Sequence, residues 1–137
     1  MDLRSGPPSA DRVRILIADD DRLFAEMLRA ALAKRDGIDV IGIASDGHAA
    51  YALARELEPA IVLMDAAMPG VDGYEATRLI RRLPRPPTVV FISGVDARSG
   101  NERALNAGAS AYFKKTDDLA ELIDFLVAWA DVHALLT

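Results

Sequence analysis

The chain has 137 residues, of which 51% are hydrophobic and 27% are charged, so it can form one domain of ordinary size with a real core. Its formal net charge of −5 argues against broad binding to a phosphate backbone, and the absence of cysteine excludes disulfides and thiolate metal sites. No apolar run approaches the roughly 20 residues that a membrane helix needs, and no signal-peptide core is present, which predicts a soluble, cytoplasmic protein without membrane contact.

Short β-branched runs alternate with helical patterns after a polar segment, residues 1–11, which is predicted to be a flexible tail. Strands are predicted at 13–18, 38–44, 60–64, 88–92 and 111–114, and helices at 23–32, 47–57, 74–83, 98–107 and 119–135. Five strand–helix pairs with short connections favour right-handed crossovers and a parallel sheet covered by helices on both faces. The sequence therefore predicts a single three-layer α/β domain over residues 12–137.

Polar residues follow the predicted strands at the edge where an open parallel sheet binds its ligands. Strand one ends in an acidic run at 19–21, strand three in Asp65 and strand four in Ser93, and Lys115 follows strand five. If strands one, three and four are neighbours, these side chains converge on one site. Clustered carboxylates need a cation, and Mg²⁺ requires few protein oxygens. A carboxylate beside the ion can hold a phosphoryl group as an acyl phosphate, with Lys115 and Ser93 offsetting its charge.

Each of these residues also has a purely structural interpretation. Asp20 or Asp21 alone is more typical of a helix cap, and Asp65 before a Pro-Gly loop is equally typical of a turn. Ser93 could belong to an ordinary loop, and Lys114 is interpreted as a solvated charge. The complete set, with each member at the end of a different strand, favours the phosphoryl site over these alternatives.

Four segments together resemble the receiver (response regulator) family of bacterial two-component signalling. The first is the acidic pair after strand one (15–21), and the second is the phosphoacceptor strand with its Met-Pro-x-x-Asp-Gly loop (63–73). The third is the strand that ends in Ser and a small residue (90–94), and the fourth is the Gly-Ala run that leads to an aromatic residue and lysine (108–115). The resemblance covers about residues 12–132. It implies a doubly wound, flavodoxin-like five-stranded sheet in the order 2-1-3-4-5, and a receiver domain over 12–137.

The resemblance implies a role for each residue of the acidic site. Asp65 would accept a phosphoryl group from a sensor histidine kinase, a phosphotransfer protein or a small acyl phosphate. Mg²⁺, with Mn²⁺ as an alternative, would be bound by Asp20, by Asp65 and by the backbone carbonyl of Ala67. Asp19 would contribute mainly through a bound water. The domain would thus be a phosphoacceptor that catalyses only its own phosphorylation and dephosphorylation, rather than a classical enzyme.

The resemblance also implies a switch. Lys115 would pair with the phosphoryl oxygens, Ser93 would turn inward to hydrogen-bond them, and Tyr112 would change rotamer with Ser93. This movement would reshape the face of helix 4, strand 5 and helix 5, where a homodimer or an output partner would bind, without direct nucleic-acid binding by this domain. Thr116 stands where many relatives have proline, which predicts a trans peptide and resembles the subgroup with helix-turn-helix output domains.

Two other interpretations remain. Asp19-x-Asp21 after a strand resembles the nucleophile motif of haloacid-dehalogenase-type phosphatases, although that motif leaves Asp65 and its loop unexplained. A receiver-shaped interaction module that takes up no phosphate is the second, although such a module would usually lack an acid or the lysine. The sequence also leaves open whether the domain acts alone or together with a separate output domain.

Overall fold

The computed structural model describes residues 12–94, 98–115 and 119–136, so the predicted tail and the predicted trans peptide at Thr116 lie outside the described residues. In chain order the elements are β1 (Val13–Ala18), α1 (Arg22–Ala33), β2 (Ile38–Ala44), α2 (Gly47–Leu57), β3 (Ile61–Asp65), α3 (Gly73–Ile80), β4 (Thr88–Ser93), α4 (Arg98–Ala107), β5 (Ala111–Lys114) and α5 (Leu119–Leu136). The strands pair in parallel in the order β2-β1-β3-β4-β5. The predicted fold class and strand order are confirmed.

The core consists of two apolar layers, one on each face of the sheet. Alternate residues of β1 divide between them: Leu16 belongs to the layer that includes residues of α2, α3 and α4, whereas Ile15 and Ile17 belong to the layer of α1 and α5. Every residue of β3 is buried, because helices cover both faces of this central strand. In the part of the chain that the structure describes, no helix is both long and apolar enough to cross a bilayer.

One helix is shorter than its sequence pattern indicates. We predict α3 to run to Leu83, but it ends at Ile80. The backbone N–H groups of Arg82 and Leu83 then bond three residues back, to the carbonyls of Leu79 and Ile80, as in a tightened final turn. Pro84 explains the difference, because a residue that precedes proline is disfavoured in the helical conformation.

Candidate functional site

Three carboxylates lie together at the carboxyl edge of the sheet. Asp65 is the last residue of β3, and Asp19 and Asp20 follow β1, which pairs directly with β3. Each acid offers an oxygen, and these three atoms lie within 4.8 Å of one another. Asp19 and Asp65 are 1% and 4% exposed, whereas Asp20 is exposed. The structure therefore brings together the acids that the sequence places at two separate strand ends.

A lysine and a hydroxyl border this acidic cluster. Lys115 follows β5, and its backbone N–H donates to the carbonyl of Ser93 over 2.9 Å. The Lys115 Nζ lies 2.8 Å from Asp19 Oδ2 and 3.7 Å from Asp65 Oδ2. Ser93 is buried at the end of β4, one residue beyond the Ile92 that pairs with Asp65. The lysine contacts both buried carboxylates and lies nearer to Asp19 than to the predicted phosphoacceptor.

The electrostatics of the cluster fit a bound cation. Burial is the main cause that raises the pKa of Asp65, from 3.8 to about 7, and the Asp19 carboxylate adds to the effect. The Lys115 ammonium and a hydrogen bond from the Ala67 backbone N–H lower this pKa in part. Asp19 Oδ2 is buried and has the ammonium beside it, but among the described residues no donor meets it with hydrogen-bond geometry. The Lys115 ammonium thus faces several acids. A hard divalent ion would neutralise their remaining charge, because carboxylate oxygens are the ligands that it prefers.

Other acids at this edge cap helices instead. Asp21 is the N-cap of α1, and its carboxylate accepts a hydrogen bond from the Phe24 N–H over 3.1 Å. Asp72 caps α3 in the same way through the N–H of Glu75. For Asp21, the structural interpretation is therefore correct. Its own N–H donates to Asp19 Oδ1 over 2.8 Å, so this turn also helps to hold the buried acid in place.

Two glycines allow the loop after β3 to pack closely, and the sequence patterns alone did not indicate their role. A Cβ at Gly73 would collide with the backbone carbonyl of Asp65, and a Cβ at Gly47 would collide with that of Val71. The Gly73 N–H also donates to the carbonyl of Ala66 over 3.1 Å. The starts of α2 and α3 thereby hold the loop that carries Ala67. Glycine is needed here for close approach of backbone, since neither residue has a positive φ.

The remaining predicted residues lie on the adjacent strand and loop. Tyr112 is on β5, opposite Phe91 of β4, and packs partly buried against the core. Ala67 is exposed in the loop that follows Asp65. Phe24, which no sequence motif assigns to the site, has its ring centroid 4.7 Å from Lys115 Nζ. Its only sequence signal is an aromatic side chain in the first turn of the helix after the acidic run.

Comparison with known proteins places this site in a family. The model of the response regulator receiver domain matches residues 15–127. The chain belongs to the response regulator receiver family. It is 39% identical to the response regulator GacA of Pseudomonas viridiflava over 81% of this chain and 52% of that protein. With the transcriptional regulatory protein LiaR of Bacillus subtilis it shares 40% identity, over 85% of this chain and 55% of that protein.

The solved structures agree with the sequence relatives. The signal receiver domain of NarL from Mycobacterium tuberculosis superposes with a TM-score of 0.81 and 32% identity, covering 88% of this chain and 97% of that one. The receiver interpretation is thus confirmed, and neither the phosphatase nor the phosphate-independent module is supported. Receiver domains are phosphoacceptor signalling domains, for which phosphorylation on aspartate, Mg²⁺ binding at an acidic pocket and a histidine kinase partner are typical. The chain spans about half the length of the curated relatives named above.

Proposed function

We propose that Asp65 is the phosphoacceptor of this receiver domain and that it takes the phosphoryl group from a histidine kinase or a phosphotransfer protein. The observation that carries the proposal is the clustering of Asp19, Asp20 and Asp65 within 4.8 Å, with Lys115 Nζ in contact with the two buried acids. A structural acid at a strand end would not require two more acids and a half-buried ammonium beside it. Such a charge arrangement suits a site that receives a cation and an anion together.

The proposed chemistry assigns a task to each group. A carboxylate oxygen of Asp65 attacks the phosphorus atom, the P–N bond to the donor histidine breaks, and the imidazole leaves with the electron pair of that bond. The Lys115 ammonium pairs with the phosphoryl oxygens and offsets their charge, and the Ser93 hydroxyl donates to one of them. Asp65 must be ionised to attack. The raised pKa of Asp65 leaves part of this carboxyl protonated at neutral pH, and a cation in the cluster would favour its ionised, reactive form.

The residues that would hold Mg²⁺ are Asp20, Asp65 and the backbone carbonyl of Ala67, with Asp19 acting through water. When bound, the ion would neutralise the carboxylates and offer coordination positions to the phosphoryl oxygens. Mn²⁺ has the same preference for oxygen ligands and is expected to substitute for Mg²⁺. Asp20 is the exposed member of the cluster, which suits a ligand at the mouth of the site.

The test is incubation with acetyl phosphate and Mg²⁺, followed by intact-mass measurement. We expect the parent to gain the mass of one phosphoryl group, and the gain should vanish in Asp65→Asn and in the presence of EDTA. Asp36→Asn is the matched control, because Asp36 is exposed in the turn before β2. Peptide mapping of the product locates the group. Phosphorylation of Asp19, or an equal gain in Asp65→Asn, would contradict the assignment.

We further propose that phosphorylation is transmitted through Ser93 and Tyr112 to the face formed by α4, β5 and α5, which then binds a second copy or an output partner. Support comes from the sheet, in which β4 carries Ser93 and pairs with the strand that carries Tyr112. LiaR is named a transcriptional regulatory protein, which suggests a DNA-binding output for this chain as well. Sedimentation with and without Mg²⁺ and beryllofluoride, which stands in for the phosphoryl group, tests the dimer. An unchanged mass would contradict dimerisation that is driven by phosphorylation. The predicted domain boundaries and cytoplasmic location remain predictions.

A further inference from the structure

The Lys115 ammonium has an aromatic neighbour as well as two acidic ones. Its Nζ lies 4.7 Å from the centroid of the Phe24 ring, within the range in which a cation is attracted to the face of an aromatic ring. We propose that Phe24 is a positioning residue, which holds the ammonium at the rim of the site in the place where the phosphoryl oxygens arrive. The inference rests on the proposed roles of Asp65 and Lys115.

The distances around the ammonium explain why such a contact matters. The closest acid is Asp19 at 2.8 Å, and the proposed phosphoacceptor Asp65 lies at 3.7 Å. A cation in the acidic cluster competes with the lysine for Asp19, so this ion pair weakens when the site is loaded. The attraction to the Phe24 ring does not depend on the charge of either acid. It can therefore hold the ammonium in place both before and after a cation and a phosphoryl group bind.

Both sides of the contact are fixed to the backbone near the site. Phe24 lies in the first turn of α1, where its N–H bonds to the capping carboxylate of Asp21, and Asp21 in turn donates its N–H to Asp19. Lys115 is tied to β4 by its backbone bond to Ser93. These hydrogen bonds hold the backbone at both residues, so the starting points of the two side chains are fixed relative to the acidic cluster. The lysine side chain is only 16% exposed, which limits the competition from water.

The simpler explanation is that Phe24 only fills space, since it also packs against the core layer of α1 and α5. Filling space depends only on the shape of the side chain, whereas holding the ammonium depends on the negative charge of the ring face. Phe24→Leu keeps an apolar side chain but removes the aromatic face, whereas Phe24→Trp and Phe24→Tyr keep it. Pentafluorophenylalanine at position 24 keeps the shape of phenylalanine but reverses the charge on the ring face. Phe125→Leu is the matched control, because Phe125 lies in the same core layer and contacts Phe113.

The first measurement is the NMR chemical shift of the Lys115 ε-methylene protons in the full chain. A ring face near the ammonium shifts them upfield. We expect the upfield shift in the parent, in Phe24→Trp and in the Phe125→Leu control, and we expect its loss in Phe24→Leu. A parent lysine with ordinary ε-methylene shifts would overturn the proposal, and this result is independent of any phosphoryl chemistry.

The second measurement is the beryllofluoride concentration that half-saturates the protein in the presence of Mg²⁺. We expect this concentration to rise about three- to tenfold in Phe24→Leu and in the pentafluorophenylalanine protein, and at most about twofold in Phe24→Trp and Phe125→Leu. Unchanged binding in the pentafluorophenylalanine protein would overturn the proposal, even if Phe24→Leu fails to fold. If the parent itself binds no beryllofluoride while the upfield shift is present, the proposed function fails and the lysine–phenylalanine contact stands.

Discussion

The burial of Asp65 should make the stability of the metal-free protein depend on pH. Burial, together with the Asp19 carboxylate, raises the pKa of Asp65 from 3.8 to about 7. Between these two values the folded protein keeps a proton on Asp65 that the unfolded chain releases. The folded state then binds more protons, so the free energy of unfolding decreases as the pH rises through this interval. The stabilising effect of the proton is fully present below 3.8 and is lost above about 7.

The substitution Asp65→Asn removes this dependence, because asparagine has a similar shape and does not ionise. Each pH unit between the unfolded and folded pKa changes stability by about 1.4 kcal/mol. The part of this interval that lies between about pH 5 and the folded pKa of about 7 covers about two units, which corresponds to roughly 3 kcal/mol. We therefore expect Asp65→Asn to stabilise the protein more at about pH 8 than at about pH 5, with a difference of roughly 2–3 kcal/mol. Comparing the two pH values cancels the hydrogen-bond differences between the two side chains.

The assay is urea denaturation with EDTA at both pH values, on the parent, on Asp65→Asn and on the exposed control Asp36→Asn. The control should follow the parent at both pH values. Adding Mg²⁺ at the higher pH should stabilise the parent and leave Asp65→Asn nearly unchanged, because the ion replaces the proton as the partner of the carboxylate. An Asp65→Asn effect of equal size at the two pH values would contradict this prediction, since folding would then not raise the pKa of Asp65.

Two further predictions concern packing around the site. Gly47→Ala should lower the free energy of unfolding by about 1–3 kcal/mol, because the new Cβ would collide with the Val71 carbonyl. Gly42→Ala should change it by less than about 1 kcal/mol, since its Cβ would meet only side chains at ordinary distance. Equal urea midpoints for the two variants would contradict this. Arg103, whose guanidinium lies 4.0 Å from the centre of the Tyr74 ring, should contribute about 0.5–1 kcal/mol through that contact. A double-mutant cycle of Arg103→Ala and Tyr74→Leu measures this coupling, and a value near zero would show that the contact stabilises nothing.

Helical spacing predicted where α1 lies, but it did not predict which residues the helix buries. The apolar residues of the pattern include Leu23 and Leu28, yet Leu23 is 82% exposed and Leu28 is fully buried. Leu23 lies in the first turn of the helix, just after the acidic run. Similarly, the pattern extended α3 beyond Ile80, since periodicity does not register the conformational effect of the proline that follows. Element type was predictable from local patterns, whereas burial and exact ends were not.

Local sequence patterns are enough to predict the alternation of strands and helices, the polar residues at the strand ends and the family motif, because each of these depends on short segments of chain. They do not determine the raised pKa of Asp65, the closeness of Lys115 to Asp19 or the contact with Phe24. Those features arise where the carboxyl ends of β1, β3 and β5 meet the start of α1, and their magnitudes depend on how far packing excludes water and brings backbones together. A local pattern records which groups are present at a site, but only the tertiary structure sets the distances between them and the solvent around them.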